Sequence, residues 1–141
     1  MSTIPQIWTS CWSAKLPDDI VRIGISRGVP RRFPAGYKRF PPLYPGAWFR
    51  SVSEAEYVRL YSAEVLSHLD PHQLVTNLLR ISGQRPLALL CFERCGIDGW
   101  CHRGLVAIHI SNGTGLKVRE YGFDGSGKSH PMLPPGLRTA S

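Results

Sequence analysis

The stretch LALLCF, Leu87–Phe92, follows Pro86 and is a continuous apolar run. A strand with no polar face must be covered on both sides, the condition of a central strand in a parallel sheet. DIVRIGISR, Asp19–Arg27, has the same character. Its Ile20, Arg22 and Gly24 alternate with Val21, Ile23 and Ile25, so apolar residues dominate both faces. IPQIWTS (Ile4–Ser10) and LKVREY (Leu116–Tyr121) read as two further strands. Helical patterns separate them. Ser53 is a good N-cap, Glu54 and Glu56 suit the positive end of a helix, and Val58, Tyr61, Val65, Leu66 and Leu69 share one face. Asp70-Pro71 ends that helix and opens the next, whose stripe is Leu74, Val75, Leu78 and Leu79, with Gly83 closing it. A third helix is expected from about His102 to Asn112. The alternation predicts an α/β fold: a small, mostly parallel sheet of four to five strands flanked by helices on both faces, in a Rossmann-like three-layer arrangement.

At 141 residues the chain suits one domain with a real core. Residues 1–123 are expected to form it, and the Gly-, Ser- and Pro-rich stretch 124–141 to be a flexible tail. Gly28–Trp48 holds five prolines, a density of breakers that predicts a long loop, packed onto the body by the aromatics between Phe33 and Phe49. No apolar run is long enough to span a bilayer, and Met1–Trp8 has no secretory pattern. A cytoplasmic, reducing location is therefore expected, with Cys11, Cys91, Cys95 and Cys101 as thiols or metal ligands rather than disulfides.

The net charge of +7 is concentrated in one place. Ile20–Val52 contains no Asp or Glu and seven basic residues (Arg22, Arg27, Arg31, Arg32, Lys38, Arg39 and Arg50), while the rest of the chain balances ten against ten. Such asymmetry points to a phosphorylated small molecule or a nucleic acid as partner. Arginines interleaved with aromatics are what phosphate neutralisation and base stacking need, but the same aromatics could serve to cover the sheet.

Ligand sites in open α/β sheets lie beyond the carboxyl ends of the strands. Here that position holds Cys91, Glu93, Arg94, Cys95, Trp100, Cys101, His102 and Arg103. Cys101 falls at an N-cap, where a thiol becomes more acidic and free backbone amides meet anions. His102 and Glu93 are the available proton carriers, and Arg103 offers a planar donor fork. Arg27 with Ser26, and Thr9 with Ser10, end two neighbouring strands and are candidates to complete an anion site with Arg103. Three readings compete. Cys91 could be a small core hydrophobe. Cys91, Cys95, Cys101 and His102 have a C-x3-C-x5-C-H spacing that could hold zinc, although the paired C-x2-C knuckle is missing. Or Cys101 or Cys91 is an activated thiol, with His102 and Glu93 as proton handlers.

LLCFERCGIDGWCHRGLVA (89–107) resembles the Cys-x-Glu…Cys-His-Arg signature of the bacterial domain of unknown function 488 family. The resemblance extends to WTSCWSAK (8–15), RIGISRG (22–28), GYKRFPPLYPGAWF (36–49), EYVRLYSAEVLSHLDPHQL (56–74) and TGLKVREYG (114–122), about residues 7 to 123 in all. It implies a compact α/β fold and a functional pocket at Cys91, Glu93, Cys101, His102 and Arg103. It implies no particular reaction, since the family has no agreed activity. Cys95, the glycine-containing turn from Cys95 to Trp100, and Cys11 in place of a frequent aromatic depart from the family pattern.

GFDGSGKS, Gly122–Ser129, matches the phosphate-loop pattern, but two prolines soon after Lys128 preclude the helix that such a loop requires. The leading expectation is an enzyme acting on a phosphorylated or nucleotide-type ligand through a Cys/His/Arg pocket, with no cofactor. The alternatives are a non-catalytic nucleic-acid-binding or regulatory module using segment 20–52, and an interaction protein with a small zinc site.

Overall fold

The computed structural model describes residues 4–95 and 99–138. Residues 1–3, 96–98 and 139–141, which fall within the sequence expectations above, lie outside the described residues.

Five strands form one parallel sheet: β1 (Ile7–Cys11), β2 (Val21–Gly24), β3 (Lys38–Arg39), β4 (Leu87–Cys91) and β5 (Arg119–Glu120), in the order β3-β2-β4-β1-β5. LALLC is central and buried at every position, with β1 and β2 on either side. The registers pair Cys11 with Cys91 and Gly24 with Leu90, so three strands end side by side at one edge. β3 lies inside the stretch read as loop. Prolines flank it closely, and two residues are all the sheet edge gains.

Three helices flank the sheet: α1 (Glu54–Glu64), α2 (Pro71–Ile81) and α3 (His102–Thr114). Ser53 Oγ accepts from the Glu56 amide and Asp70 Oδ2 from the Gln73 amide, capping α1 and α2 as their sequences predict. Gly115 ends α3 with a positive φ of 79°.

The all-parallel sheet flanked by three helices is the α/β arrangement that the sequence predicts, with the helices gathered on one face rather than on both. Their buried residues, including Tyr57, Tyr61, Leu74, Leu78, Leu105, Val106 and Ile110, join Leu87, Leu89 and Cys91 in a single core. The opposite face, with Ala88 and Leu90, is covered by Trp12, Leu16 and Ile20 and by Phe33 and Tyr37 from the proline-rich segment. Trp12, Phe33 and Tyr37 meet edge to face, with ring centres 4.9 to 5.7 Å apart. The third layer is thus made of loops. Gly24 admits it: a Cβ there would lie 2.4 Å from the Trp12 ring.

Residues 124–138 are not a flexible tail. His130, Met132 and Leu133 are fully or almost fully buried, and the Met132 carbonyl accepts from the Cys101 amide at 2.9 Å. Gly104, in the first turn of α3, permits this contact. A Cβ on it would sit 2.6 Å from the backbone of Met132 and Leu133. Gly127–Ser129 forms only a single 3-10 turn, so no helix starts at Lys128 to serve a phosphate loop. No helix among the described residues is long and apolar enough to cross a membrane.

Candidate functional site

A cavity of about 700 Å³ opens beyond the carboxyl ends of β2 and β4. Cys91, Cys101 and His102 lie at its floor, nearly or fully removed from solvent, and the exposed Arg27, Arg50 and Glu93 line its outer part. Phe49, Tyr57, Phe92 and Trp100 give it aromatic walls.

Each floor residue has a local cause. Cys91 is the last residue of β4 and faces the helices. Cys101 is the extended residue before α3 and makes no side-chain cap bond, so its sulfur is free to face Cys91, 2.6 Å away. His102 opens the helix. Its Nε2–H donates to the Ile25 carbonyl at 2.8 Å, which leaves Nδ1 turned toward Cys101 Sγ at 3.5 Å. The edge of Tyr61 packs on the imidazole with ring centres 5.4 Å apart, and the Tyr61 hydroxyl is anchored on the Leu43 carbonyl at 2.7 Å.

The two sulfurs are electrostatically unlike. Burial opposes ionisation of Cys101, yet the Cys91 hydrogen bond, the neighbouring His102 and Arg103 together hold its thiol well below the ordinary range. Burial and the Cys101 charge push Cys91 well above it, so Cys91 keeps its proton and donates it toward Cys101. His102 is raised: burial works against its charge, but the Cys101 thiolate and the Ile25 carbonyl outweigh it. The result is a thiolate–imidazolium pair. Glu93 is also raised, by desolvation first and then by the Cys101 charge, which suits it to carrying a proton. Burial holds Tyr57 protonated.

Arg103 is not an anion clamp. Its side chain is entirely buried, and its guanidinium binds Glu120 of β5 through Nε (2.9 Å to Oε1) and Nη2 (2.8 Å to Oε2). Nη1 approaches Cys91 Sγ at 3.5 Å. Thr9 belongs to the same network rather than to the cavity. Its hydroxyl donates to Glu120 Oε1 and accepts from His130 Nε2–H, both at 2.7 Å. That tautomer follows because His130 Nδ1 accepts from the Met132 amide. Ser10 is buried against Cys95. Ser26 lines the cavity, but its hydroxyl is engaged, accepting from Trp12 Nε1 and donating to the Gly28 carbonyl. Of the proposed anion-binding set, Arg27 alone presents a cation to the cavity, and one of its nitrogens also donates to the Pro45 carbonyl.

Trp100 lies where the sequence places the site, whereas Arg50, Phe49 and Tyr57 line the cavity without being singled out as site residues by the sequence. Arg50 was visible only as one of seven charges. Tyr57 lies four residues before Tyr61 on α1, and that spacing was the available signal.

Cys91, Cys101 and His102 offer three donor atoms within 4.8 Å of one another. Two thiolates on a tetrahedral zinc stand about 3.8 Å apart, given Zn–S bonds near 2.3 Å. The two sulfurs, 2.6 Å apart, would have to open to that separation for a zinc ion to be held between them. Cys95 is not in the group. Its sulfur contacts Cys11 at 3.2 Å, with its thiol pushed up to about 12, chiefly by burial.

The aromatics of segment 20–52 are largely committed to packing: Phe40 is buried, Phe33 and Tyr37 lie on Trp12, and Trp48 meets Tyr57 edge to face. No protein-family model, curated protein or solved structure matches this chain.

Proposed function

We propose that this chain is a thiol enzyme of the domain of unknown function 488 family, acting on a phosphorylated, ring-bearing small molecule of nucleotide type. The observation that carries the reading is the Cys101–His102 pair at the floor of a cavity bearing Arg27 and Arg50. The arginines suit a phosphate, and Phe49, Tyr57 and Trp100 suit a flat ring. Cys101 attacks an electrophilic centre of the ligand, forming a covalent bond through sulfur. The departing group takes its proton from His102 or from Glu93. His102 keeps its orientation because the Ile25 carbonyl holds its far nitrogen. Convergence of Cys91, Glu93, Cys101 and His102 on one cavity supports the reading of a thiol site, with Arg103 fixed behind them.

A nucleic acid would have to be held mainly by charge, since outside the cavity most aromatics of segment 20–52 are engaged in the protein. The experiment is alkylation of Cys101 by iodoacetamide, located by peptide mass spectrometry, with and without a panel of nucleoside mono- and diphosphates at low salt. Cys101 is expected to be the fast-reacting thiol, and at least one nucleotide to slow it. A Cys101 that reacts no faster than Cys95, or that no phosphate compound protects, overturns the reading.

A further inference from the structure

We propose that Cys91 and Cys101 are a peroxide-oxidisable dithiol: a hydroperoxide entering the cavity converts them into a disulfide across the floor of the site. This goes beyond the reading above and shares with it only the identity of Cys101 as the reactive sulfur.

Three structural observations converge. The two sulfurs are in contact, 2.6 Å apart, and both line the cavity, which is wide enough for a small hydroperoxide. They belong to different elements, the end of β4 and the residue before α3, so a bond between them ties the helix start to the central strand. His102 Nδ1 stands 3.5 Å from Cys101, the sulfur that attacks the peroxide, and Arg103 stands beside Cys91.

The step balances with the hydroperoxide as oxidant. The Cys101 thiolate attacks the terminal oxygen, and the O–O bond breaks. The departing alkoxide, or hydroxide from hydrogen peroxide, takes the His102 proton and leaves as an alcohol or water. Cys101 is then a sulfenic acid. Cys91 next attacks that sulfur as its S–H proton passes to the hydroxyl, which leaves as water. The two thiols lose two electrons and two protons in total, and the peroxide is reduced by two electrons. An external dithiol restores the pair by exchange. While the disulfide stands, Cys101 has no thiolate to offer a substrate, so the oxidised site is inactive.

Cys11 and Cys95 are the internal comparison, because their sulfurs also touch, at 3.2 Å. Burial opposes ionisation of Cys11, but hydrogen bonds with Ser13 and Cys95 lower its thiol, while Cys95 is pushed up to about 12. What this pair lacks, among the described residues, is an imidazole in contact with either sulfur to protonate a departing oxygen.

The test treats the whole chain with stoichiometric hydrogen peroxide, alkylates the remaining thiols, and maps disulfide-linked peptides by mass spectrometry. A peptide linking Cys91 to Cys101, reversed by dithiothreitol, is the expected result. A bridge between Cys11 and Cys95 with Cys91 and Cys101 still alkylatable overturns the proposal, as does direct over-oxidation of Cys101 to sulfinic acid with Cys91 unchanged. In Cys91→Ser, Cys101 should instead accumulate as a dimedone-reactive sulfenic acid, and absence of the adduct counts against the proposal. Nucleotide protection in the reduced protein reads the proposed enzyme separately, so either idea can fail while the other stands.

Discussion

The Arg103 guanidinium and the Glu120 carboxylate meet in a two-point ion pair in which both side chains have no solvent exposure. Arg103 lies one turn from the reactive thiol and Glu120 on the edge strand β5, so the pair fastens the start of α3 to the sheet. Thr9 and His130 extend the fastening to β1 and to the C-terminal segment.

Breaking this pair strands a buried charge. Glu120→Ala should cost about 3–5 kcal/mol, the usual penalty for an uncompensated buried ion. Glu56→Ala, which removes an exposed, solvent-screened pair with Arg59, should cost far less. Urea unfolding of the two variants side by side measures the contrast.

Gly104→Ala provides a test in which local propensity and packing have opposite signs. In a solvated helix the change would stabilise by about 1 kcal/mol. Here the new methyl group meets the backbone of Met132 and Leu133 at 2.6 Å, and backbone cannot turn aside as a side chain can. Net destabilisation of about 1–3 kcal/mol is expected. A rise in thermal midpoint would show that the C-terminal segment does not rest on α3.

His130 gives the fold an acid sensitivity. Burial, ahead of the opposing attraction of Glu120, pushes its imidazole down to about 4. The unfolded chain, with an ordinary histidine near 6.5, binds more protons between those values. Stability is therefore full above about pH 6.5 and falls as pH drops toward about 4, by up to roughly 3 kcal/mol from this group. His130→Asn should flatten that part of the stability–pH curve, measured by denaturant midpoint at each pH.

His102 should control the reactivity of Cys101. With the imidazolium beside it, the thiolate persists at pH values where an ordinary thiol is protonated. His102→Ala removes both the charge and the Nδ1 contact, so the alkylation profile of Cys101 should move to higher pH. Each unit of movement lowers the rate about tenfold at a fixed pH below the new value. An unmoved profile would assign the acidity to the Cys91 hydrogen bond and Arg103 instead. The linkage carries its own sign. A lowered thiol contributes stability above its unfolded value, near 8.5, and loses it as pH falls through the folded one. A raised histidine contributes below 6.5 and loses it as pH rises through its folded value.

Contacts that depend on neighbours in the chain were legible in the sequence. LALLCF carries its own burial, and Ser53 and Asp70 carry their own caps. Cys101 before a helix was readable from the local pattern, as were His102 beside it and Glu93 after the strand. What failed depended on partners far along the chain. An arginine after a histidine looks like an anion fork until its partner at position 120 is brought against it by β5. Thr9 and Ser10 were placed on the correct strand, but which way they faced depended on what lay above that strand. The segment after Gly122 has no periodicity because its buried residues, His130, Met132 and Leu133, follow a turn rather than a helix or strand. Prolines there were read as breakers of order when they are fixed points in a packed loop. Helix placement failed for a similar reason: Trp12, Phe33 and Tyr37 cover a sheet face with rings instead of a helix.

The hydrogen bond from the Cys101 amide to the Met132 carbonyl has a practical meaning for anyone choosing where this domain stops. Sequence composition invites a cut just after Gly122. Such a cut would remove the strap beneath the reactive turn, strip His130 from Thr9 and open the floor of the cavity to water. The residues that look most expendable on paper are the buckle that keeps the sulfur in its seat.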